Sequence, residues 1–390
     1  MATSTFYILQ SSFKRGHAIE DRTVVITGAS WIAPEPLGLA LSGALKSAPA
    51  PTPEITAFET AAGTPAFGFE ALDFSIQKEL PNVISFVDRT SAFALAAAKR
   101  ALDHAGLLDA KTRPANAEIG CAYGSMLGCL EAMGVFWNKV KSGNPKFAAP
   151  LAFTQGYANS PASLLAIEFQ LRGASAVFAG ERLAGMEALL FAFDQIVSGS
   201  AEIMLAGASD SLTSAAHRHL FSSGQLCENG DWSGGMIPGE GAAMLVLESA
   251  ASATARRRIA LARLEGVNFF PLDPKSTVAP MRVATGTRET VVFSSTPNQH
   301  AFGGWIQHMH KPDMPAVAPK YFSGDMLSVS PLLSVALAAR ELSGENIVSL
   351  NGSPGLPLLN AAVAATAAKP RYAVATGFDP GGLLGVAMLS

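Results

Sequence analysis

Short, continuously apolar runs alternate along this chain with longer alanine-rich stretches whose apolar positions recur at helical spacing. The run Arg22-Thr23-Val24-Val25-Ile26-Thr27-Gly28 reads as a buried strand closing in a glycine turn, and 34–41 continues into loop and helix. Pro, Ala and Thr mark 47–65 as an irregular connection. Residues 88–107 carry polar capping residues in front, an alanine body and Gly106 at the exit, which predicts a helix. A strand follows at 119–124, and Tyr157-Ala158-Asn159-Ser160-Pro161-Ala162 leads into a helix ending at Leu171-Arg172-Gly173. Small and apolar residues from Gly173 to Gly180 suit a buried strand, and from Leu183 through Phe193 the spacing turns helical. Strands are predicted at 201–208 and after the glycine turn in 237–248, with a basic, alanine-rich helix over 249–258 joining two halves. Later strands fall at 259–264, 290–293, 346–350, 372–376 and 384–389. Strands alternating with helices in both halves point to an α/β architecture with parallel layers.

Composition narrows the classes. The chain has 390 residues, 49% of them hydrophobic and 15% charged, enough to bury a large core as one big or two medium domains. A net charge of −3 gives no electrostatic footprint for nucleic acid or an anionic membrane, so neither is expected as a partner. Three cysteines, Cys121, Cys129 and Cys227, sit in apolar or mixed surroundings and read as buried, reduced thiols. Residues 1–21 lack an apolar signal-peptide core and read as an extension. The best apolar window, 183–197, is broken by Glu187 and Asp194, so membrane insertion is not expected and a cytoplasmic location is. His308 and His310, with nearby Asp313, read as surface residues rather than a metal site, His217 and His219 read as helix-face residues, and no metal or cofactor is expected. The run Arg256-Arg257-Arg258 reads as a solvated helix end, with contact to an acidic carrier protein as the other reading.

The strand, sharp turn and helix start around residue 180 suit a nucleophilic enzyme, because a side chain at such a turn projects into a cleft beside the positive helix end. The residue there is Arg182, a permanent cation without a nucleophilic lone pair. This stretch resembles the nucleophile elbow of β-ketoacyl synthases of the thiolase fold, with Arg182 at the cysteine position and Gly185 at the helix glycine. It is most similar to the cysteine-less chain length factor subunits of type II polyketide systems, which read Glu-Gln-Ala-Gly-Gly-Leu-Asp-Ala where this chain has Glu181-Arg182-Leu183-Ala184-Gly185-Met186-Glu187-Ala188. The helix at 88–107 and the Gly239-Glu240-Gly241 turn resemble the same family. The resemblance implies two packed βα halves in a layered α-β-α-β-α arrangement, here 22–250 and 251–390.

A ketosynthase needs a thiolate and two imidazoles. The segment from Lys320 to Leu327 resembles the family's Lys-to-Gly-His segment with Asp325 in place of the histidine. The strand that normally ends in the other histidine ends at Ser294 and Ser295, Ser295 being the preferred replacement. His300, a few residues on, reaches the pocket only if the loop is shifted. The vestigial positions are thus Arg182, Ser295, Lys320 and Asp325. A cation at the elbow and a carboxylate across the cleft lead us to expect an Arg182–Asp325 ion pair, with Glu181 as a competing partner.

What the resemblance implies is a non-catalytic subunit that forms a heterodimer with a cysteine-containing ketosynthase through the strand bearing Phe178, with acyl carrier protein as a further partner. Its chain tunnel would serve a polyketide, an aryl polyene or another fatty acyl product; Met126, Met133 and Phe136, on the segment after Gly124, are read as its lining, with core packing as the equal alternative. A stand-alone malonyl-carrier decarboxylase or acyltransferase using His300 and Lys320, and a homodimeric scaffold, are the other readings.

Overall fold

The structure, a computed structural model, describes residues 22–42, 52–60, 67–83, 87–109, 118–142, 150–227, 229–230, 232, 235–271, 289–295, 315–349, 356–357, 370–380 and 382–390. Twelve strands are formed among them: β1 Val24–Ile32, β2 Gly120–Ser125, β3 Ser175–Ala179, β4 Ile203–Asp210, β5 Gly241–Ser249, β6 Ala262–Pro271, β7 Thr290–Ser294, β8 Ala316–Val317, β9 Val348–Ser349, β10 Leu356–Pro357, β11 Tyr372–Asp379 and β12 Leu383–Leu389. Ten make one sheet in the order β3-β2-β4-β5-β1-β6-β12-β11-β7-β8, and β9 and β10 form a small parallel pair of their own.

That order contains an internal repeat. From its outer edge the first half runs β3, β2, β4, β5, β1, and the second runs β8, β7, β11, β12, β6. In each half the outer two pairings are parallel and the inner two antiparallel. The halves meet at β1 and β6, which pair antiparallel through Val24 with Leu264, Val25 with Arg263 and Ile26 with Ala262.

Period-2 alternation explains how the sheet is buried on both faces. On β5, Ala243, Leu245 and Leu247 join one core cluster while Ala242, Met244 and Val246 join another. The first cluster surrounds a middle layer of two helices, Ala184–Val197 and Val329–Leu342, which pack on strands of both halves. They cross at Gly185, where an added Cβ would stand 2.4 Å from the carbonyl oxygen of Ser328. Only a residue without a side chain allows that approach. On the other face of the first half lies the helix Arg89–His104, whose alanines at 92, 94, 96, 97, 98 and 101 are fully or almost fully buried. Its N-terminus is capped by Asp88, which accepts from the Thr90 N–H at 2.9 Å, and the chain leaves at Gly106 with φ 65°.

Two expectations change. The helix after β5 ends at Ala255, and the arginines beyond it fold back instead of forming a solvated end. Arg256 grips the buried carboxylate of Glu248 at 2.5 Å and the Ala105 carbonyl at 3.1 Å, and Arg258 donates to the His104 carbonyl. These cations satisfy the orphan carbonyls at the end of the helix Arg89–His104, a demand invisible to a local reading of charge. The strand expected at 259–264 runs instead as Ala262–Pro271, because Arg263 and Glu265 point outward while Ala262, Leu264 and Gly266 point inward. His217 and His219 lie on the helix Ser214–Ser222, where His217 is 2% exposed and stacks edge-on against Phe58, with ring centres 5.9 Å apart, and His219 is exposed. Among the described residues no helix is long and apolar enough to cross a membrane, and no three metal-binding side chains gather. Residues 1–21, His300, His308, His310 and Asp313 lie outside the described residues.

A buried guanidinium at the strand-to-helix elbow

Strand β3 stops at Ala179 because Gly180 takes φ 100°, a conformation that frees the chain to turn. The Gly180 N–H donates to the Ser125 carbonyl at 3.1 Å, tying the turn to the end of β2. Leu183 caps the following helix without a side-chain hydrogen bond. Between them Glu181 is exposed and Arg182 is 6% exposed, so the two side chains diverge and Glu181 does not compete for the guanidinium.

Arg182 Nη1 donates to Asp325 Oδ2 at 3.0 Å, forming the ion pair anticipated from the two residue types. Its Nη2 donates to Gln225 Oε1 at 2.7 Å and contacts Met236 Sδ at 2.8 Å. The second carboxylate oxygen of Asp325 accepts the Leu327 N–H at 3.0 Å. The backbone of Asp325 is stitched to the arm before β5: its N–H donates to the Ile237 carbonyl at 2.8 Å, and Gly239 N–H donates to its carbonyl at 2.9 Å. By the repeat, Arg182 and Asp325 occupy matching places, each in the connection from the third strand of its half to the middle-layer helix, which in the second half includes the short helix Lys320–Ser323. The middle-layer packing turns these connections toward each other.

Lys320 starts a short helix just before Gly324 and is also buried. Its ammonium lies 5.8 Å from the Trp232 ring centre and 6.0 Å from that of Tyr321. Burial pushes its pKa down to about 8, opposed by the Asp325 carboxylate and reinforced by the Arg182 cation. Ser295 follows β7, and both its hydroxyl, at 2.8 Å, and its N–H, at 3.0 Å, donate to the Thr376 carbonyl. No described contact brings it to Arg182.

One buried carboxylate, Asp210, escaped the sequence reading, and Asp88, read there as a cap, has a second role. Asp210, at the end of β4, accepts from Ser125 Oγ at 2.8 Å, Leu127 N–H at 3.0 Å, Met126 N–H at 3.2 Å, Ser328 N–H at 3.1 Å and Ser328 Oγ at 2.5 Å. Burial raises its pKa despite these donors. Asp88 caps not only its own helix but also the helix Leu130–Lys141, accepting from Ala132 N–H at 3.0 Å. Gln225 and Met236 were likewise unremarked. The available signal was a carboxylate directly after an apolar strand, Ala-Gly-Ala-Ser-Asp, where a charge must find donors at the strand end.

The residues proposed for a lining are half-buried: Met126 packs beside Leu220, Leu226, Met236 and Leu327, while Phe136 stacks 4.9 Å from Phe153. Met133 lies against Gly156. Phe178, on the edge strand β3, packs 6.0 Å from Phe191. Nearby, Trp137, Leu151, Phe153 and Tyr157 are exposed, Trp137 by 49%.

Chemically, the elbow holds no nucleophile. A guanidinium neither attacks a thioester nor gives up its proton at ordinary pH. The three cysteines are free and buried, and burial pushes Cys121 up to about 12 and raises Cys129 as well, which keeps both as thiols.

Comparison with known proteins places this geometry. The family model of the beta-ketoacyl synthase N-terminal domain matches residues 44–253. A curated relative, "Actinorhodin polyketide putative beta-ketoacyl synthase 2" of Streptomyces coelicolor, is 27% identical over 253 residues, which span 60% of this chain and 60% of the relative. Among solved structures, the ishigamide ketosynthase/chain length factor matches with TM-score 0.75 at 20% identity, over 95% of this chain and 99% of that one. AntDE:AntF, a type II polyketide synthase acyl-carrier protein in complex with its ketosynthase bound to the hexaketide, matches with TM-score 0.72 at 20% identity, over 95% and 99%. A beta-ketoacyl synthase from Burkholderia phymatum matches with TM-score 0.71 at 17% identity, over 94% and 99%. At these identities the structural likeness is one of fold: the layered α/β arrangement is shared.

Proposed function

This chain belongs to the β-ketoacyl synthase family, and from that premise we propose that it is a non-catalytic, chain-length-factor type subunit that pairs with a cysteine-containing ketosynthase and shapes the tunnel for a growing acyl chain. One observation carries the reading: the elbow position is filled by a buried arginine, fully engaged by Asp325, Gln225 and Met236. Condensation needs a sulfur at the elbow, and the residue there is an arginine, while burial raises the pKa of Cys121 and Cys129 and keeps both as thiols. Arg182, Asp325, Lys320 and Ser295 are then vestigial positions.

The edge strand β3 supports pairing with another chain, since its outer residues are exposed and Val177 and Phe178 are half-buried apolar side chains. Exposed aromatic residues on and after the helices Leu130–Lys141 and Pro150–Gln155, Trp137, Phe153 and Tyr157, add apolar surface. The relatives named above support a ketosynthase as partner and an acyl carrier protein as visitor. The repeat of strand order supports two halves dividing at 250/251, and free buried thiols accord with a cytoplasmic location.

The test is co-expression of the tagged chain with cysteine-containing ketosynthases of the same genome. The expected result is a stable heterodimer that condenses malonyl units on carrier protein, with acyl thioester only on the partner. An acyl group trapped on this chain, or malonyl-carrier decarboxylation by the chain alone, would sink the reading.

A further inference from the structure

The segment from Met126 to Ala132 leaves β2 and enters the helix Leu130–Lys141, and side chains hold its backbone at Met126, Leu127, Gly128 and Ala132. Asp210 takes the N–H groups of Met126 and Leu127, Ser125 Oγ takes that of Gly128 at 2.9 Å, Thr90 Oγ1 donates to the Gly128 carbonyl at 3.2 Å, and Asp88 takes the N–H of Ala132. The anchors are themselves joined, because Thr90 Oγ1 bonds Ser211 Oγ at 2.7 Å beside Asp210, and Ser209 Oγ donates to the Thr90 carbonyl at 2.8 Å. Asp210 extends the network to Ser328, three residues beyond Asp325, so both halves contribute to it.

Gly128 and Cys129 are buried, so the polar backbone here must find its partners inside the fold. Two buried carboxylates aimed at backbone N–H groups form the stronger, charge-assisted kind of bond, and they hold the stretch that carries Met126 and leads into the helix carrying Met133 and Phe136. An apolar wall selects chain length only if its atoms stay in place when a methylene presses on them, since a wall that gives by an ångström admits more chain.

Resting on the reading above, we propose that Asp88 and Asp210 are positioning residues that fix the wall formed by Met126, Met133 and Phe136 and so set the length of acyl chain the assembled subunit admits. Neither carboxylate touches the chain. Each acts through the backbone it holds.

The heterodimer recovered in the co-expression experiment is supplied with malonyl-loaded carrier protein, and product lengths are read by mass spectrometry for wild type, Asp88→Ala, Asp88→Asn, Asp210→Asn and the milder Thr90→Val. Wild type gives one dominant length. Asp88→Ala and Asp210→Asn spread the products toward longer chains by at least one extension unit, and Asp88→Asn, which keeps a capping oxygen, spreads them less. Glu248→Gln, a buried carboxylate bonded to Thr27 and Arg256 elsewhere in the fold, serves as control and leaves the distribution unchanged. Hydrogen exchange on the full chain alone adds a second readout: the Met126, Leu127 and Ala132 amides exchange about tenfold faster or more in Thr90→Val. Assembled variants with unaltered product lengths and unaltered exchange overturn the inference and leave the subunit reading standing. A wild-type chain that joins no ketosynthase removes that reading, and the exchange result then decides whether the anchoring itself is real.

Discussion

Two of the molecule's arginine–carboxylate pairs, Arg89 with Glu240 and Arg182 with Asp325, are built differently. Arg89 meets Glu240 as a fork, Nε at 2.9 Å and Nη2 at 2.5 Å, and lies over the Phe93 ring with one side still reached by water. Glu240 also accepts the N–H groups of Ala71 and Leu212, so one carboxylate braces three segments. Arg182 meets Asp325 through a single nitrogen, both side chains sealed from solvent, with an amide oxygen and a thioether completing the guanidinium's surroundings. The first pair organises a corner; the second occupies a pocket. Full desolvation with one charged contact offers little net stability, so the elbow pair is better understood as a filled cavity than as a brace.

That contrast can be broken at several points. The largest effect is expected from Glu240→Ala, which strands a half-buried guanidinium and two backbone N–H groups and costs about 4 kcal/mol in denaturant unfolding. Asp325→Ala leaves Arg182 buried without its counter-ion and costs about 3 kcal/mol. Replacing both members, Arg182→Met with Asp325→Leu, sharpens the point: the double variant lies within about 1 kcal/mol of wild type, whereas a similar apolar exchange of Arg89 and Glu240 does not recover stability, because Ala71 and Leu212 lose their acceptor.

Lys320 gives the pair a pH signature. Its folded pKa, about 8, lies below the ordinary 10.5, so below pH 8 both states hold the proton and the burial penalty is constant. Between these values the unfolded chain binds more protons, and stability rises with pH, by ~1 kcal/mol per unit at the steepest. The difference between wild type and Lys320→Met in unfolding free energy should therefore change only from about pH 8 upward. The smallest effect belongs to Arg371→Ala: its 3.7 Å contact with Glu289 is exposed on both sides, and its loss should move stability by less than about 0.5 kcal/mol.

Legibility followed the range of the interaction. The helix Arg89–His104, the strands β1, β4, β5, β11 and β12 and the elbow turn were readable because their signals, caps, periodicity and glycine, are local. The pairing of Arg182 with Asp325 was readable from charge: a cation at a helix start needs a carboxylate, and the resemblance named the segment facing it. The fates of Arg256 and Arg258 were not readable, since the carbonyls they satisfy belong to a helix about 150 residues earlier. Asp88 looked like an ordinary cap, and nothing local announced its second helix. Asp210 and Gln225 gained their roles only when segments distant in sequence converged on them.

By itself, then, the sequence determined the alternation of strands and helices, the absence of a nucleophile at Arg182 and the need for a charge partner, because each depends on residue type and near neighbours. Tertiary structure alone decided that two halves of like topology would turn the Arg182 and Asp325 connections toward one another. It also decided which buried carboxylates would gather backbone N–H groups from both halves. The physical reason is desolvation: inside the fold an unpaired polar group is too costly to leave, and which partner satisfies it depends on what the packed helices and strands bring within three ångströms or so.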